Sequence, residues 1–334
     1  MKDSVFKLRF GVIGTNFISD WLLEGASGDA RFEAVAVYSR SQNTADAFAA
    51  KHNIPHTFVS LEEMASSPLI DAVYIASPTA LHAGQAVLFM ENGKHVLCEK
   101  PAASNARELR RMIETSEKYG VAFMEAMKST LMPGFKVILQ HLSEIGTVRR
   151  YFASYCQYSS RYDKLKAGEV LNAFKPELSN GAMMDLGIYT VYPLVVLWGR
   201  PLGVSASGTL LYTGVDGQGA VNLEYEGKCA TILYSKIADS SLPSEIQGEN
   251  GTLVIDRIQS PRRISLKKRN GISLDISSDD EGNEYYYEVK EFIDTVQSGR
   301  HESPVNSHLN SLISLEIIDE VRRQLGVIYP ADKD

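Results

Sequence analysis

Six short apolar runs recur through the first 127 residues, and a helical pattern or a turn separates each from the next. They are Leu8 to Ile13, Phe32 to Tyr38, Thr57-Phe58, Ile70 to Ala76, Val96 to Cys98 and Val121 to Met124. Strands that alternate with crossover helices predict a parallel, doubly wound sheet. Ligands bind such sheets outside the carboxyl ends of the strands. The end of the fifth run, Val96-Leu97-Cys98-Glu99-Lys100-Pro101, therefore draws attention first. Pro101 has no N–H and a fixed φ, so it ends the strand. Lys100 is thereby delivered to the edge where a cofactor and a substrate would meet.

The first strand runs into Gly14-Thr15-Asn16-Phe17-Ile18-Ser19 and then a helix. A helix N-terminus offers free N–H groups and a positive dipole end, which suit a pyrophosphate. The usual fingerprint is G-x-G-x-x-G/A; here only the first glycine is kept, with Asn16 and Ser19 at the other two positions. Asn tolerates a positive φ and Ser is small, so the turn can still form. A purely structural strand–turn–helix would read the same way. A carboxylate for the ribose 2′-hydroxyl usually ends the second strand, but this strand ends Tyr38-Ser39-Arg40. A hydroxyl and a guanidinium would accept a 2′-phosphate, which tilts the cofactor to NADP with NAD possible; a solvated surface arginine is the plain alternative.

After about Met127 the pattern changes. A helix follows Pro133, and strands then dominate: Val148 to Tyr158, Gly203 to Leu211, Gly219 to Tyr225, Lys228 to Lys236, Ser244 to Gly248, Thr252 to Asp256 and Ile264 to Lys268. Glu226-Gly227 and Asn250-Gly251 are hairpin turn pairs. Tight connections predict an antiparallel sheet. Two helices, Tyr286 to Ser298 and Ser307 to Leu325, close the chain.

Composition narrows the partners. The net charge is −7 and no dense basic run occurs, which argues against nucleic acid or an anionic membrane. Three cysteines without C-x-x-C spacing point to a reduced, cytoplasmic setting. Met1-Lys2-Asp3-Ser4 leads into the first strand without a signal-peptide profile. The most apolar helical stretch, Tyr189 to Trp198, is too short to span a bilayer. The seven histidines are scattered without a ligand spacing, so no metal is expected.

Four stretches together resemble the glucose–fructose oxidoreductase/inositol dehydrogenase (Gfo/Idh/MocA) family. They are Gly11-Val12-Ile13-Gly14, Ser77-Pro78-Thr79 with His82, Glu99-Lys100-Pro101, and Asn180 to Tyr189 with its Asp185-x-Gly187-x-Tyr189 core. Tyr189 and Phe123-Met124-Glu125-Ala126-Met127 are most similar to the branch of dimeric dihydrodiol dehydrogenases and NADP-linked D-xylose dehydrogenases. Lys128 and Thr130 depart from that branch, so substrate identity does not carry over. Lys128 is left either to bind substrate or to be exposed.

The resemblance implies an α/β protein. A Rossmann-type dinucleotide domain would cover residues 1–127. An α+β substrate-binding and dimerisation domain would cover 128–334, with a large, mostly antiparallel open sheet. It implies that Lys100 touches the nicotinamide ribose and the substrate hydroxyl, and that Asp185 and Tyr189, sharing one helix face, point at the substrate. Ser77, Pro78 and Thr79 would pass beneath the nicotinamide half of the cofactor, and Glu99 would contact its ribose. His82 would contact the cofactor or make a structural hydrogen bond. Arg161, Tyr162 and Asp163 read as a solvated loop.

The function expected is an NAD(P)-dependent dehydrogenase acting on a sugar, polyol or cyclic diol, as a homodimer or dimer of dimers. The alternatives are a non-catalytic dinucleotide-binding regulator on the same fold, and a lyase or glycosidase using NAD for transient oxidation. The proton of the substrate hydroxyl goes to Tyr189 with Lys100 as electrostatic partner, or to Lys100 alone.

Overall fold

The computed structural model describes residues 6–279 and 282–333. The expected passage of Met1-Lys2-Asp3-Ser4 into a strand lies outside the described residues. The chain forms two compact units, Met1–Ala126 with Gly282–His308 and Met127–Glu281 with Leu309–Asp334.

In the first unit β1 (Leu8–Ile13), β2 (Phe32–Tyr38), β3 (His56–Phe58), β4 (Ala72–Ile75), β5 (His95–Glu99) and β6 (Phe123–Ala126) alternate with α1 (Phe17–Ala26), α2 (Gln42–His52), α3 (Leu61–Ser66), α4 (His82–Glu91) and α5 (Ala106–Tyr119). All six strands pair in parallel in the order β3-β2-β1-β4-β5-β6. The order reverses between β1 and β4, which is where a doubly wound sheet opens a ligand crevice. Phe10, Val12, Tyr74, Val96 and Leu97 are fully buried, so helices cover both faces. Local signals set the helix ends. Asn105 Oδ1 accepts the Glu108 N–H at the start of α5, and Gly120 closes it at φ +65°.

The second unit holds β7 (Val148–Cys156), β8 (Gly203–Leu210), β9 (Asp216–Tyr225), β10 (Lys228–Ser235), β11 (Ser244–Gly248), β12 (Gly251–Ile255), β13 (Ile264–Lys268) and β14 (Ser273–Asp275). Their order is β14-β13-β12-β11-β7-β10-β9-β8. Every pair is antiparallel except β7 with β10, which run parallel. Burial follows the strand period of two. Ala230, Ile232 and Tyr234 are buried, while Cys229, Thr231 and Leu233 lie on the more accessible face. Ala230 and Ile232 thus share a face that Leu233 does not. The helices here include α6 (Pro133–His141), α7 (Tyr162–Lys166) and α8 (Ile188–Trp198), and the last helix of the chain also falls in this unit from Leu309 on. Tyr151 on β7 donates to the Thr190 carbonyl of α8 at 3.0 Å, fixing that helix on the buried face.

Two features differ from the expectations. The helical run Pro176–Trp198 is long and apolar enough to cross a membrane by length and composition, although its most apolar part alone is too short. It is 72% buried within the protein over that window, as a core helix is. The second difference is that α9 (Glu284–Gln297) belongs to the first unit, although the sequence pattern places everything after 127 in one domain; the last helix, α10, spans His308–Leu325. Apolar packing explains part of this return: the Phe292 ring lies 5.8 Å from that of Phe10. Gly25 lets α1 sit close, since a Cβ there would come within 2.8 Å of Asn283 Oδ1 and Tyr285 Cβ.

Charge explains the rest. Arg31 bonds Asp29 at 2.5 Å and Asp294 of α9 at 2.7 Å. The Arg31 side chain holds the Asp29 carboxyl below its ordinary range against burial. At Asp294 burial pushes upward, and the bonds from Lys290 and Arg31 outweigh it. Carboxyls depressed in the folded state contribute stability that is complete above their unfolded pKa of about 3.9 and is lost as pH falls through the folded values. Arg31→Met should therefore lower the melting temperature at pH 7, by an amount corresponding to about 1.5–3 kcal/mol for one charged hydrogen bond. The gap to wild type should close below about pH 4. A gap that stays constant from neutral pH to pH 3 in thermal scans would show that the ion pairs are not its source.

Candidate functional site

In the first unit the site is built on the carboxyl ends of β1, β2, β4 and β5. Gly14 has φ +106°, and a Cβ there would lie 2.6 Å from the Ala76 carbonyl oxygen. Both the backbone angle and the close approach to the end of β4 require glycine. Asn16 does not use the positive φ that its type allows; it is extended at φ −99°. It works through its side chain instead. Oδ1 accepts the Ile18 N–H at 2.8 Å, and Nδ2 donates to the Ala76 carbonyl at 2.9 Å. The buried Ser19 hydroxyl donates to the Gly14 carbonyl. The turn is thus locked by side chains where the common fingerprint uses glycines. Thr15 and Ile18 are half-buried and Phe17 is exposed at the mouth of this turn. Tyr38 pairs with Ile13, which sets the half-buried Ser39 and exposed Arg40 beside the same turn.

At the end of β4 the Ser77 hydroxyl donates to Gln85 Oε1 at 2.7 Å, Pro78 is half-buried and Thr79 is buried. His82 opens α4, fully enclosed. Its Nδ1 lies 2.9 Å from the Pro101 carbonyl and its Nε2 lies 2.8 Å from the Ser77 carbonyl. Of the two roles the sequence leaves open for His82, the structure supplies the structural one. It ties the loop after β4 to the loop after β5. Burial pushes its pKa down, and the two carbonyls work in the opposite direction.

Glu99 and Lys100 are the partly accessible residues of a run otherwise buried from Val96 to Ala106. Glu99 Oε1 accepts the Tyr74 hydroxyl at 2.6 Å, and its Oε2 accepts the Lys100 N–H at 3.2 Å. Burial, then Glu99, hold the Tyr74 hydroxyl well above the phenol range, so Tyr74 remains a donor. The Lys100–Pro101 peptide is cis. Glu125, buried on β6, accepts the Ala102 N–H and steadies the chain just past Pro101. Burial, then Glu125 and Glu99, push the Cys98 thiol well up, which leaves it an inert core residue.

In the second unit Asp185 lies in a widened π-type turn, Met183–Gly187, that leads directly into α8 with Tyr189 in its first turn. The Ile188 N–H reaches back to the Met183 carbonyl, the five-residue step of that turn. From Gly181 to Val195 every residue is buried except Asp185 and Tyr189, so the shared face expected from their spacing is the accessible one. Tyr189 stacks edge-on against Tyr155 with ring centres 5.8 Å apart. The start of the turn is held by Asp216, fully buried on β9, which accepts the N–H groups of Ala182 at 3.1 Å and Met183 at 2.7 Å. Burial raises the Asp216 pKa, and the Met183 N–H works against that rise. Gly181, at φ +155°, is what admits this carboxylate, since its Cβ would overlap Asp216 Oδ1.

Asp185 has a partner that the sequence reading did not single out: Lys236 Nζ lies 2.7 Å from its Oδ2. Lys128 is buried rather than exposed, in a short 3-10 turn with Thr130, which is buried as well. Arg161 leads into the short exposed helix α7, where Asp163 accepts the Tyr158 hydroxyl and pairs with Lys166. Among the described residues no cluster of His, Cys, Asp and Glu could hold a metal. Asp216, Gln85 and Glu125 gave no local signal. Lys236 did: a lysine ends the apolar run Ala230 to Tyr234 just as Lys100 ends Val96 to Cys98.

Comparison with known proteins agrees with both units. Residues 8–127 match the model of an oxidoreductase family with an NAD-binding Rossmann fold, and residues 141–254 match the GFO/IDH/MocA C-terminal domain. The chain is 52% identical over 326 residues to scyllo-inositol 2-dehydrogenase (NADP(+)) IolU of Bacillus subtilis, covering 98% of this chain and 99% of that one. It is 33% identical over 311 residues to trans-1,2-dihydrobenzene-1,2-diol dehydrogenase of Xenopus tropicalis, covering 89% and 91%. A 3-ketoreductase from Actinomadura kijaniata, solved with TDP-benzene and NADP, shares the fold with a TM-score of 0.82 at 22% identity, covering 96% of this chain and 98% of that one.

Proposed function

Since the chain belongs to the Gfo/Idh/MocA family of NAD-binding oxidoreductases, we propose that it is an NADP-dependent dehydrogenase acting on the CH–OH group of a cyclic polyol, with scyllo-inositol the first substrate to test. The observation that carries this reading is the accessible pair Asp185 and Tyr189 on a segment otherwise buried from Gly181 to Val195. A carboxylate and a phenol fixed on one face can grip a hydroxylated ring by hydrogen bonds and hold the reacting carbon still. The full-length likeness to an inositol dehydrogenase supports the ring-shaped, hydroxyl-rich substrate.

The first unit fits a dinucleotide. Gly14 lets the turn after β1 pass close against Ala76 at the end of β4, and the N-terminus of α1 follows that turn, where Thr15 to Ile18 would take the pyrophosphate. Ser39 and Arg40 would take a 2′-phosphate; Ser77, Pro78, Thr79 and Glu99 would line the nicotinamide half, with His82 bracing them from behind. The dinucleotide, when bound, supplies the hydride acceptor or donor. This chain's residues manage the proton. Tyr189 accepts it from the substrate hydroxyl, Lys100 lowers the cost of the phenolate by its charge, and Asp185 orients the hydroxyl. The protein works as a homodimer joined through the accessible face of the second unit's sheet, where Phe152, Ala220, Thr231 and Leu233 lie half-exposed.

Three outcomes follow. NADP should bind roughly tenfold to a hundredfold tighter than NAD, since one charged contact contributes about 1.5–3 kcal/mol. Arg40→Ala should remove most of that preference; fluorescence titrations in which it survives intact would rule out the 2′-phosphate role. With cyclic polyols and NADP, wild type should raise the absorbance of reduced nicotinamide, and Tyr189→Phe and Lys100→Met should each lose ~10²–10⁴ in kcat. No turnover of any polyol or diol would favour the regulator reading. A Tyr189→Phe enzyme with unchanged kcat and pH profile would transfer the proton role to Lys100. Light scattering at micromolar concentration should give twice the chain mass, and a monomer would refute assembly through the sheet.

A further inference from the structure

Lys236 is one residue past the end of β10, in phase with Ala230, Ile232 and Tyr234 on the buried face. Its side chain is only 4% exposed, whereas that of its partner Asp185 is 39% exposed. The ammonium is 2.7 Å from Asp185 Oδ2, 3.4 Å from the Ala173 carbonyl and 5.5 Å above the centre of the Phe174 ring. The main chain is pinned on both sides: the Lys236 N–H donates to the Gly217 carbonyl and the Lys236 carbonyl accepts the Ser159 N–H, each at 2.8 Å. The ammonium can therefore hardly retreat, and what it fixes is the carboxylate.

Stability alone does not account for such a pair. Burying an ammonium costs several kcal/mol, and a partner this exposed returns little of it. The arrangement makes sense if the gain is orientation. The same positive charge also acts on Asp216, offsetting part of the burial that raises its pKa. One lysine thus serves the carboxylate that holds the start of the Met183–Gly187 turn and the carboxylate in its middle.

We propose that Lys236 is a positioning residue for the reaction, holding the Asp185 carboxylate in the orientation that grips the substrate hydroxyl. This rests on the reading in which Asp185 touches substrate.

The test is a double-mutant cycle with Lys236→Met and Asp185→Asn, read by kcat, polyol KM, NADP affinity and melting temperature. Displacing a gripping group by about 1 Å costs on the order of 10²-fold. Lys236→Met should lower kcat by roughly that factor with NADP affinity unchanged, and should add no further loss in the Asp185→Asn background. Lys236→Arg, which keeps the charge but changes its geometry, should lose less, about tenfold in kcat. Lys236→Met with a lower melting temperature but full kcat, or losses that multiply in the double variant, would overturn the proposal. If Lys236→Met does not fold, a folded Lys236→Arg enzyme with wild-type kcat would overturn it equally. The two readings separate cleanly. Asp185→Asn with full kcat removes the substrate role of Asp185 and this proposal with it. An inactive Asp185→Asn beside a fully active Lys236→Met removes this proposal alone.

Discussion

One buried carboxylate sets the geometry of the second unit. Asp216 accepts the first N–H groups of the segment that carries Asp185 and Tyr189, and it can do so because Gly181 has no side chain in its way. A helix start normally leaves such donors to water or to a cap from its own chain neighbours. Here the cap comes from a strand more than thirty residues away in sequence, so the helix is joined to the sheet at its first turn. Everything that faces outward from that segment inherits the precision of the joint. The widened turn then presents Asp185, and Lys236, one residue past β10, meets it.

The first unit solves a related problem by different means. Its strand ends must come close together without colliding, and the contacts there run between loops rather than along helices. Asn16 joins the turn after β1 to the end of β4. His82 joins the loop after β4 to the one after β5. Glu125 on β6 joins the chain after β5 to its neighbour. The edge on which Lys100 stands is therefore a single cross-braced rim, which is what pre-organisation demands of groups expected to act on a small molecule.

Most of the fold was legible because its signals are local. Strand ends follow from Gly and Pro, helix ends from Asn105 and Gly120, and the partition of strand faces from a period of two. The Asp185–Tyr189 face was legible from spacing. What escaped is long-range. The return of α9 to the first unit depends on Arg31 meeting a carboxylate over two hundred residues later, and no window of sequence holds both. The parallel pairing of β7 with β10 joins Arg150–Cys156 to Cys229–Ser235, and no local pattern reports a partner that far along the chain. The type of Asn16 suggests backbone freedom, yet it acts through its side chain, capping α1 locally at Ile18 and reaching across to Ala76, and the second bond exists only once β4 is in place. Lys236 carried the same cue as Lys100, a lysine closing an apolar strand, but a cue of that kind names a position and not a partner.

The burial pattern from Gly181 to Val195 also bears on how this lineage can change. A stretch in which thirteen of fifteen positions are packed, and the other two are the pair proposed to meet the substrate, offers almost nothing for drift to work on. Substitutions at the packed positions disturb the core. New substrate preferences must come from outside it, from surfaces that can vary without disturbing the joint. The segment from Tyr158 to Asn172 is such a surface: it is short-helical and largely solvent-facing, and it stops just before the buried Ala173 and Phe174 that contact the Lys236 ammonium. A directed-evolution library confined to that segment would sample changes in what the protein accepts while leaving the packed helix that carries Asp185 and Tyr189 untouched.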